Sequence, residues 1–309
     1  MTRAWVHAVI VPTMRSIIFL AALATFASAS TAQGRTRIVA VCGYNLCQID
    51  PSSGKATKLT RDGTRAKSYD TPSLSRSGSR LAFTRDSDLY VGDRTGRRAR
   101  RIEKGFVRVA RIAPDGKGVV FVEGVFGLLD AGPPAEYGFE RVLYQRALDG
   151  AKARSLASDI SSTAYLGSRV VHELHSSASG KPDSICLDPA DPKTLDKCER
   201  TVASDPVRAL SRPAASPDGR RLVAVAEPFT TAAGYRQVFK GVIALFNPSS
   251  GRLMRNLTRG SADTDPAVSP DGRQVVFSRG KNLYTVRLDG RASRATLLRK
   301  GMRNATWGG

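Results

Sequence analysis

Short apolar runs separated by tight-turn triplets recur along the chain. In AVSPDGRQVVFSRGKNLYTVRLDG, residues 267–290, a Pro-Asp-Gly triplet precedes one apolar run and a second apolar run ends in Asp-Gly. Pro270 presets φ, Asp271 tolerates turn geometry and Gly272 supplies positive φ, so the triplet predicts a tight turn between two strands. Shifting TPSLSRSGSRLAFTRDSDLYVGD by 194 residues lays Pro72 on Pro266, Gly78 on Gly272, Phe83 on Phe277 and Tyr90 on Tyr284 without a gap. RIAPDGKGVVFVEG and AASPDGRRLVAVAE add copies with Gly116 and Gly219 at the turn, and AYLGSRVVHEL keeps Gly167 without the Pro-Asp pair. Self-similarity at this period indicates a propeller or a solenoid.

The two incomplete ends select the propeller. TRIVAVCGYNLCQIDPSSGKATKLT matches the later strands of a repeat, and RNATWGG matches only a first strand. A ring closed by a blade built from both ends accounts for both, whereas an open solenoid requires caps. The expectation is an all-β, six-bladed propeller of four-stranded antiparallel blades. They fall at 37–60 completed by 303–308, then 69–102, 106–157, 161–202, 207–258 and 263–298. Residues 33–309 then form a single domain.

DPAVSPDGRQVVFS and RNLTRGSADTDP resemble the repeat of TolB-type periplasmic propellers, the WD40-like (PD40) blades. In these a leucine-threonine pair closes one blade and Pro-x-x-Ser-Pro-Asp-Gly opens the next. The resemblance covers about residues 37–308. Blade four lacks Ser-Pro-Asp, blade two has Arg76-Ser77 in place of Pro-Asp, and no segment corresponds to the family's N-terminal α/β domain. The resemblance implies a protein partner of the bacterial envelope, such as a peptidoglycan-associated lipoprotein. Similar blades also occur in peptidases and sugar-processing lyases.

Composition narrows the compartment. Met14-Arg15 precedes SIIFLAALATFASAS, a short apolar core followed by small residues, which predicts a cleaved secretory signal over residues 1–32 with Met14 as an alternative start. The formal net charge is +21, and removing residues 1–32 takes Arg3, Arg15 and no acid, leaving +19. Export and the scatter of arginines over every blade disfavour nucleic acid as partner. The scatter itself predicts solvated surface charge rather than one anion patch. Cys42, Cys47, Cys186 and Cys198 suit an oxidising compartment, and local pairing, Cys42 with Cys47 and Cys186 with Cys198, is the expectation. Their spacings do not suit zinc.

Insertions mark one face for recognition. Pro-Asp-Gly turns join strands one and two on one side. The loops between strands two and three lie on the other, beside the blade-to-blade links. Blade three inserts GVFGLLDAGPPAEYGFER there and blade five inserts EPFTTAAGYRQVFKG. Long loops on a rigid scaffold commonly face ligands. Phe126, Tyr137, Phe139 and Arg141 in the first, and Phe229, Tyr235, Arg236, Phe239 and Lys240 in the second, are the candidate partner-binding residues. Equally, such aromatics extend strands or plug the channel.

Other chemistry is sparse. Asp115, Asp218 and Asp271 are turn residues. Asp263 and Asp265 are two carboxylates for a hard cation that takes six to eight oxygens, so hydrogen bonding where the strand begins is the preferred reading. His172 and His175 point to opposite faces of one strand, and His172 aligns with the core position of Phe277. No nucleophile elbow, phosphate loop or dinucleotide fingerprint occurs in the sequence. The sequence predicts a monomeric, non-enzymatic, periplasmic or secreted bacterial propeller that needs no cofactor and binds an envelope protein or peptide at its loop-bearing face. The alternative is an anionic-glycan binder or lyase.

Overall fold

A computed structural model describes residues 36–129, 136–174, 182–188, 198–228, 241–259, 262–289 and 294–309. These form 24 strands in six four-stranded antiparallel sheets arranged as the blades of a propeller. Among them no helix is long and apolar enough to cross a membrane.

Ring closure follows the sequence argument. Strand β1 (Arg37–Cys42) pairs on one side with β2 (Asn45–Ile49) and on the other with β24 (Met302–Gly308), in register from Arg37↔Gly308 to Cys42↔Met302. With β3 (Ala56–Lys58) they form blade one, so its inner strand comes from the far end of the sequence. The inner strands of blades two to six are β4 (Tyr69–Leu74), β8 (Phe106–Ile112), β12 (Thr163–Leu166), β16 (Arg208–Ala215) and β20 (Asp263–Val268).

Alternation within each strand builds the core between blades. Val275 and Phe277 pack with Val223, Val225, Ile243 and Leu245 of blade five, whereas the intervening Val276 packs with Ile38, Ala40 and Ile49 of blade one. A strand buried on both faces thus joins two neighbours at once, and each fully buried aliphatic or Phe contributes about 1.5–3 kcal/mol. One cross-strand pair repeats around the ring: Phe83 with Tyr90, Phe121 with Tyr144 and Phe277 with Tyr284 stack at 5.8, 5.5 and 5.9 Å. Blade four places His172 opposite Cys186 at this position. His172 is buried there with its Nδ1 2.5 Å from Asp188, and Cys186 is bonded to Cys198. The other disulfide joins Cys42 to Cys47 across the β1–β2 turn.

The blade-three insertion is a strand extension rather than a loop. Strands β9 (Gly118–Leu129) and β10 (Glu136–Ala147) each run 12 residues, and their pairing continues outward through Phe126↔Phe139 to Leu129↔Glu136. An antiparallel pair whose register is already set needs only β-compatible residues to continue, and Val125, Phe126, Tyr137 and Phe139 supply them.

Candidate functional site at the channel mouth

The inner strands of five blades bulge: blade three shifts register at Val107–Val109 with Arg108 as the extra residue, and the other four share one form of kink. Pairing shifts by one residue between Asp70 and Ser73, between Ser211 and Ala214, and between Thr264 and Ala267 on the inner strands, and at Val39–Val41 opposite Asn304-Ala305. Each shift is a β-bulge, two residues facing one. In three blades the bulged pair is a residue followed by proline: Thr71-Pro72, Arg212-Pro213 and Asp265-Pro266. Proline has no N–H to give the ladder, and a bulge is where a strand tolerates it. The residue before it is turned into left-handed backbone, with φ of 44° at Thr71, 51° at Arg212, 51° at Asp265 and 50° at Asn304. Left-handed non-glycine residues are sparsely populated and cost roughly 1–3 kcal/mol each.

All four line one cavity of about 620 Å³ at the mouth that carries the blade-to-blade links. Hydrogen bonds between blades hold the bulges in place. The Arg212 N–H donates to Ser162 Oγ at 2.9 Å and the Asn304 N–H to Ser278 Oγ at 3.0 Å. Asn304 Nδ2 also donates to Asp70 at 2.6 Å. A kink that re-aims side chains inward is thereby fixed to the neighbouring blade.

Charge in the cavity is unbalanced. Arg108, Arg111, Arg141, Arg212 and Arg303 line it, against the carboxylates of Asp70 and Asp265. Arg303 pairs with Asp70 at 3.2 Å and Arg212 with Asp265 at 3.3 Å. Arg141 bonds the Ser161 hydroxyl and stands 4.0 Å from Asp159. Arg108, exposed, and Arg111 have no ion pair among the described residues. Arg111 lies on β8 between the buried Ala110 and Ile112, and one guanidinium nitrogen donates to the Ala110 carbonyl at 2.9 Å. Burial lowers the Arg111 pKa; the Asp265 carboxylate acts against that shift and Arg212 adds to it. It remains a cation, since an arginine side chain does not deprotonate in proteins. This convergence sets a cationic cavity beside the scatter of arginines over the blades.

Below Arg111 the channel narrows into an apolar shaft. A section of about 130 Å³ begins among Pro72, Pro213 and Pro266, shares Arg111 with the wide cavity, and is walled by Leu74, Ile112 and Trp307. It continues past Tyr165 to the opposite mouth, where Pro114, Pro217 and Pro270 of the tight turns stand. The Trp307 indole N–H is buried without an acceptor among the described residues. The channel therefore gathers cations at the link-bearing end, while the turn-bearing end mixes prolines and aliphatic residues with Arg76 and Ser216.

Arg141 is the partner-binding candidate from the sequence that this cavity includes. Phe126, Tyr137 and Phe139 stand on the extended β9–β10 hairpin, and Phe229, Tyr235, Arg236, Phe239, Lys240 and His175 lie outside the described residues. Asp263 and Asp265 do not form a shared cation site. Asp263 is fully buried and accepts two bonds from Arg279, at 2.6 and 3.1 Å, whereas Asp265 faces Arg212 in the cavity. Among the described residues no three acidic, histidine or cysteine side chains are grouped to hold a metal. The arginines at 108, 111, 212 and 303 escaped sequence reading, although the residue-proline pairs on three inner strands marked the bulges.

No family model and no curated protein matches the sequence. Among solved structures the chain is similar to TolB from Acinetobacter baumannii, at 17% identity and a TM-score of 0.66, over 89% of this chain and 66% of that one. The chain thus spans slightly less than two thirds of that protein. It is also similar to a putative TolB from Agrobacterium tumefaciens, at 15% identity and a TM-score of 0.57, over 88% of this chain and 92% of that one. An oligogalacturonate lyase in complex with manganese is similar at 16% identity and a TM-score of 0.50, over 78% and 67%. At these identities the likeness is one of architecture, and the architecture is that of a TolB-like six-bladed β-propeller.

Proposed function

We propose that the chain is an exported, non-enzymatic propeller of the bacterial envelope, periplasmic or secreted, whose link-bearing channel mouth binds a protein or peptide partner. The observation that carries this reading is the 620 Å³ cavity walled by four left-handed bulges. Strain retained at one end of the channel in four blades is the mark of a surface kept for use rather than for stability. Two disulfides agree with an oxidising compartment, as does the signal-like segment within residues 1–32. Cationic walls above an apolar shaft suit a partner segment that is inserted rather than laid flat.

The test is capture from envelope extract with residues 33–309, native and with Arg108→Glu and Arg303→Glu together. One recurrent envelope protein, held by the native chain and lost by the double variant, is expected. Equal capture by both would remove the link-bearing mouth as the binding face. A second reading, an anionic glycan, draws on the same arginines and on the likeness to the lyase. It predicts that oligouronate instead displaces the captured partner or binds alone.

A further inference from the structure

We propose that the channel mouth selects an acidic peptide segment, with a ligand carboxylate on the Arg111 guanidinium at the cavity floor and an adjacent apolar side chain in the shaft below. This rests on the reading that the link-bearing mouth is the recognition face, and adds the chemistry of what enters it.

Three observations carry it. The mouth's charges are answered unequally: Arg212 and Arg303 have ion pairs with Asp265 and Asp70, while Arg108 and Arg111 have no ion pair among the described residues and Arg111 feels Asp265 only at longer range. A guanidinium held in a low-dielectric recess favours a planar anion that it can grip with two parallel N–H bonds, and a carboxylate has that shape. Second, Arg111 belongs to both the wide cavity and the shaft, so an anion that reaches it places its next group at the shaft entrance. Third, the side chains around the shaft are mostly apolar, with Leu74, Ile112 and Val268 among them and Ser73 and Thr306 as neutral polar members, and a section of about 130 Å³ holds a side chain rather than a folded segment.

The third observation favours peptide over glycan. A sugar ring carries hydroxyls around its edge, and each one desolvated without a partner costs free energy. A peptide separates the two requirements, presenting a carboxylate on one residue and an apolar side chain on the next.

The experiment is selection of random heptapeptides displayed on phage against residues 33–309, repeated against Arg111→Gln. Synthetic copies of the enriched peptides are then titrated by fluorescence polarisation, with tetragalacturonate as competitor. Enriched peptides should pair Asp or Glu with an apolar neighbour, bind about 10- to 100-fold more weakly to Arg111→Gln, and weaken as salt rises. Arg108→Gln, at an exposed position, should reduce affinity by a smaller factor with an unchanged circular dichroism spectrum, and serves if Arg111→Gln does not fold. Peptides without acidic enrichment, affinities unmoved by both variants, or no enrichment at all would overturn the proposal. So would tetragalacturonate binding through Arg111 where no peptide does. Loss of the captured envelope protein in Arg108→Glu with Arg303→Glu would still sustain the recognition face, so the two readings fail separately.

Discussion

The two mouths of the channel are built by opposite uses of the same repeat. At the turn-bearing mouth, identical residues make identical bonds: Asp115, Asp218 and Asp271 accept from the N–H two positions on, at 2.8, 3.1 and 3.0 Å. Ser216 and Ser269 each donate to the aspartate of their own turn at 2.5 Å. Blade two lacks the aspartate, and Ser77 takes its place, accepting from the Ser79 N–H at 3.3 Å. At the link-bearing mouth the backbone repeats but the side chains do not: Thr71, Arg212, Asp265 and Asn304 occupy equivalent bulges with four different chemistries. Residues that repeat hold the ring, whereas residues that differ on a repeated backbone give each blade its own chemistry at the mouth.

Removing residues 303–309 should have the largest effect, because it takes Arg303 and Asn304 from one mouth and Trp307 from the shaft while stripping β24 from β1. A loss above about 4 kcal/mol by urea denaturation is expected, since a whole inner strand is lost; an unchanged midpoint would refute ring closure. Gly272→Ala comes next. The added methyl meets Ser216 only at ordinary contact distance, but φ is 69°, so the cost should be about 1–2 kcal/mol from backbone strain. Asp271→Ala should follow at about 1 kcal/mol for its lost turn bonds, with partner binding unaltered. Thr71→Gly should go the other way. It relieves a β-branched residue at φ 44° and should raise stability by up to about 1 kcal/mol, while a comparable loss would mean that the bulge is unstrained.

The smallest effect is on pH. The Ser216 hydroxyl, then the Arg220 N–H, holds the Asp218 carboxyl below its ordinary range. For Asp271 burial acts upward, yet the Ser269 hydroxyl and Arg273 N–H outweigh it and the net shift is also down. A carboxyl with a lowered folded pKa contributes stability that is fully present above its unfolded value near 4 and is lost as pH falls through the folded value. Asp218→Asn with Asp271→Asn should therefore flatten the fall of melting temperature below about pH 4 and leave neutral stability nearly as set by the lost bonds. An acid limb of unchanged slope would mean that these turns do not carry it.

Sequence made the ring legible because its determinants are local and periodic. The Pro-Asp-Gly triplets, the Phe at positions 83, 121 and 277 and the unmatched ends are all visible within single repeats. The cavity was not, because its arginines sit at unlike places in the repeat. Arg108 and Arg212 are bulge residues of different form, Arg303 precedes one, Arg111 stands mid-strand, and Arg141 is on the third strand of its blade. Only closure brings blades one, three and five around a common axis, so no spacing in the chain announces the cluster. The blade-three insertion was legible as two alternatives, a recognition loop by its length and a strand extension by its β-compatible residues, and the pairing of β9 with β10 follows the second.

The position of β24 also imposes an order in time. Strand β1 is synthesised early and keeps one edge of N–H and C=O groups unanswered until residues 302–308 have been made and threaded back beside it. A polypeptide interrupted anywhere before Met302 can assemble neighbouring hairpins but not a ring. Fragments would keep an exposed strand edge that proteases and chaperones read as unfinished. Closure after the whole chain has been made, rather than blade by blade during synthesis, is the schedule this topology dictates.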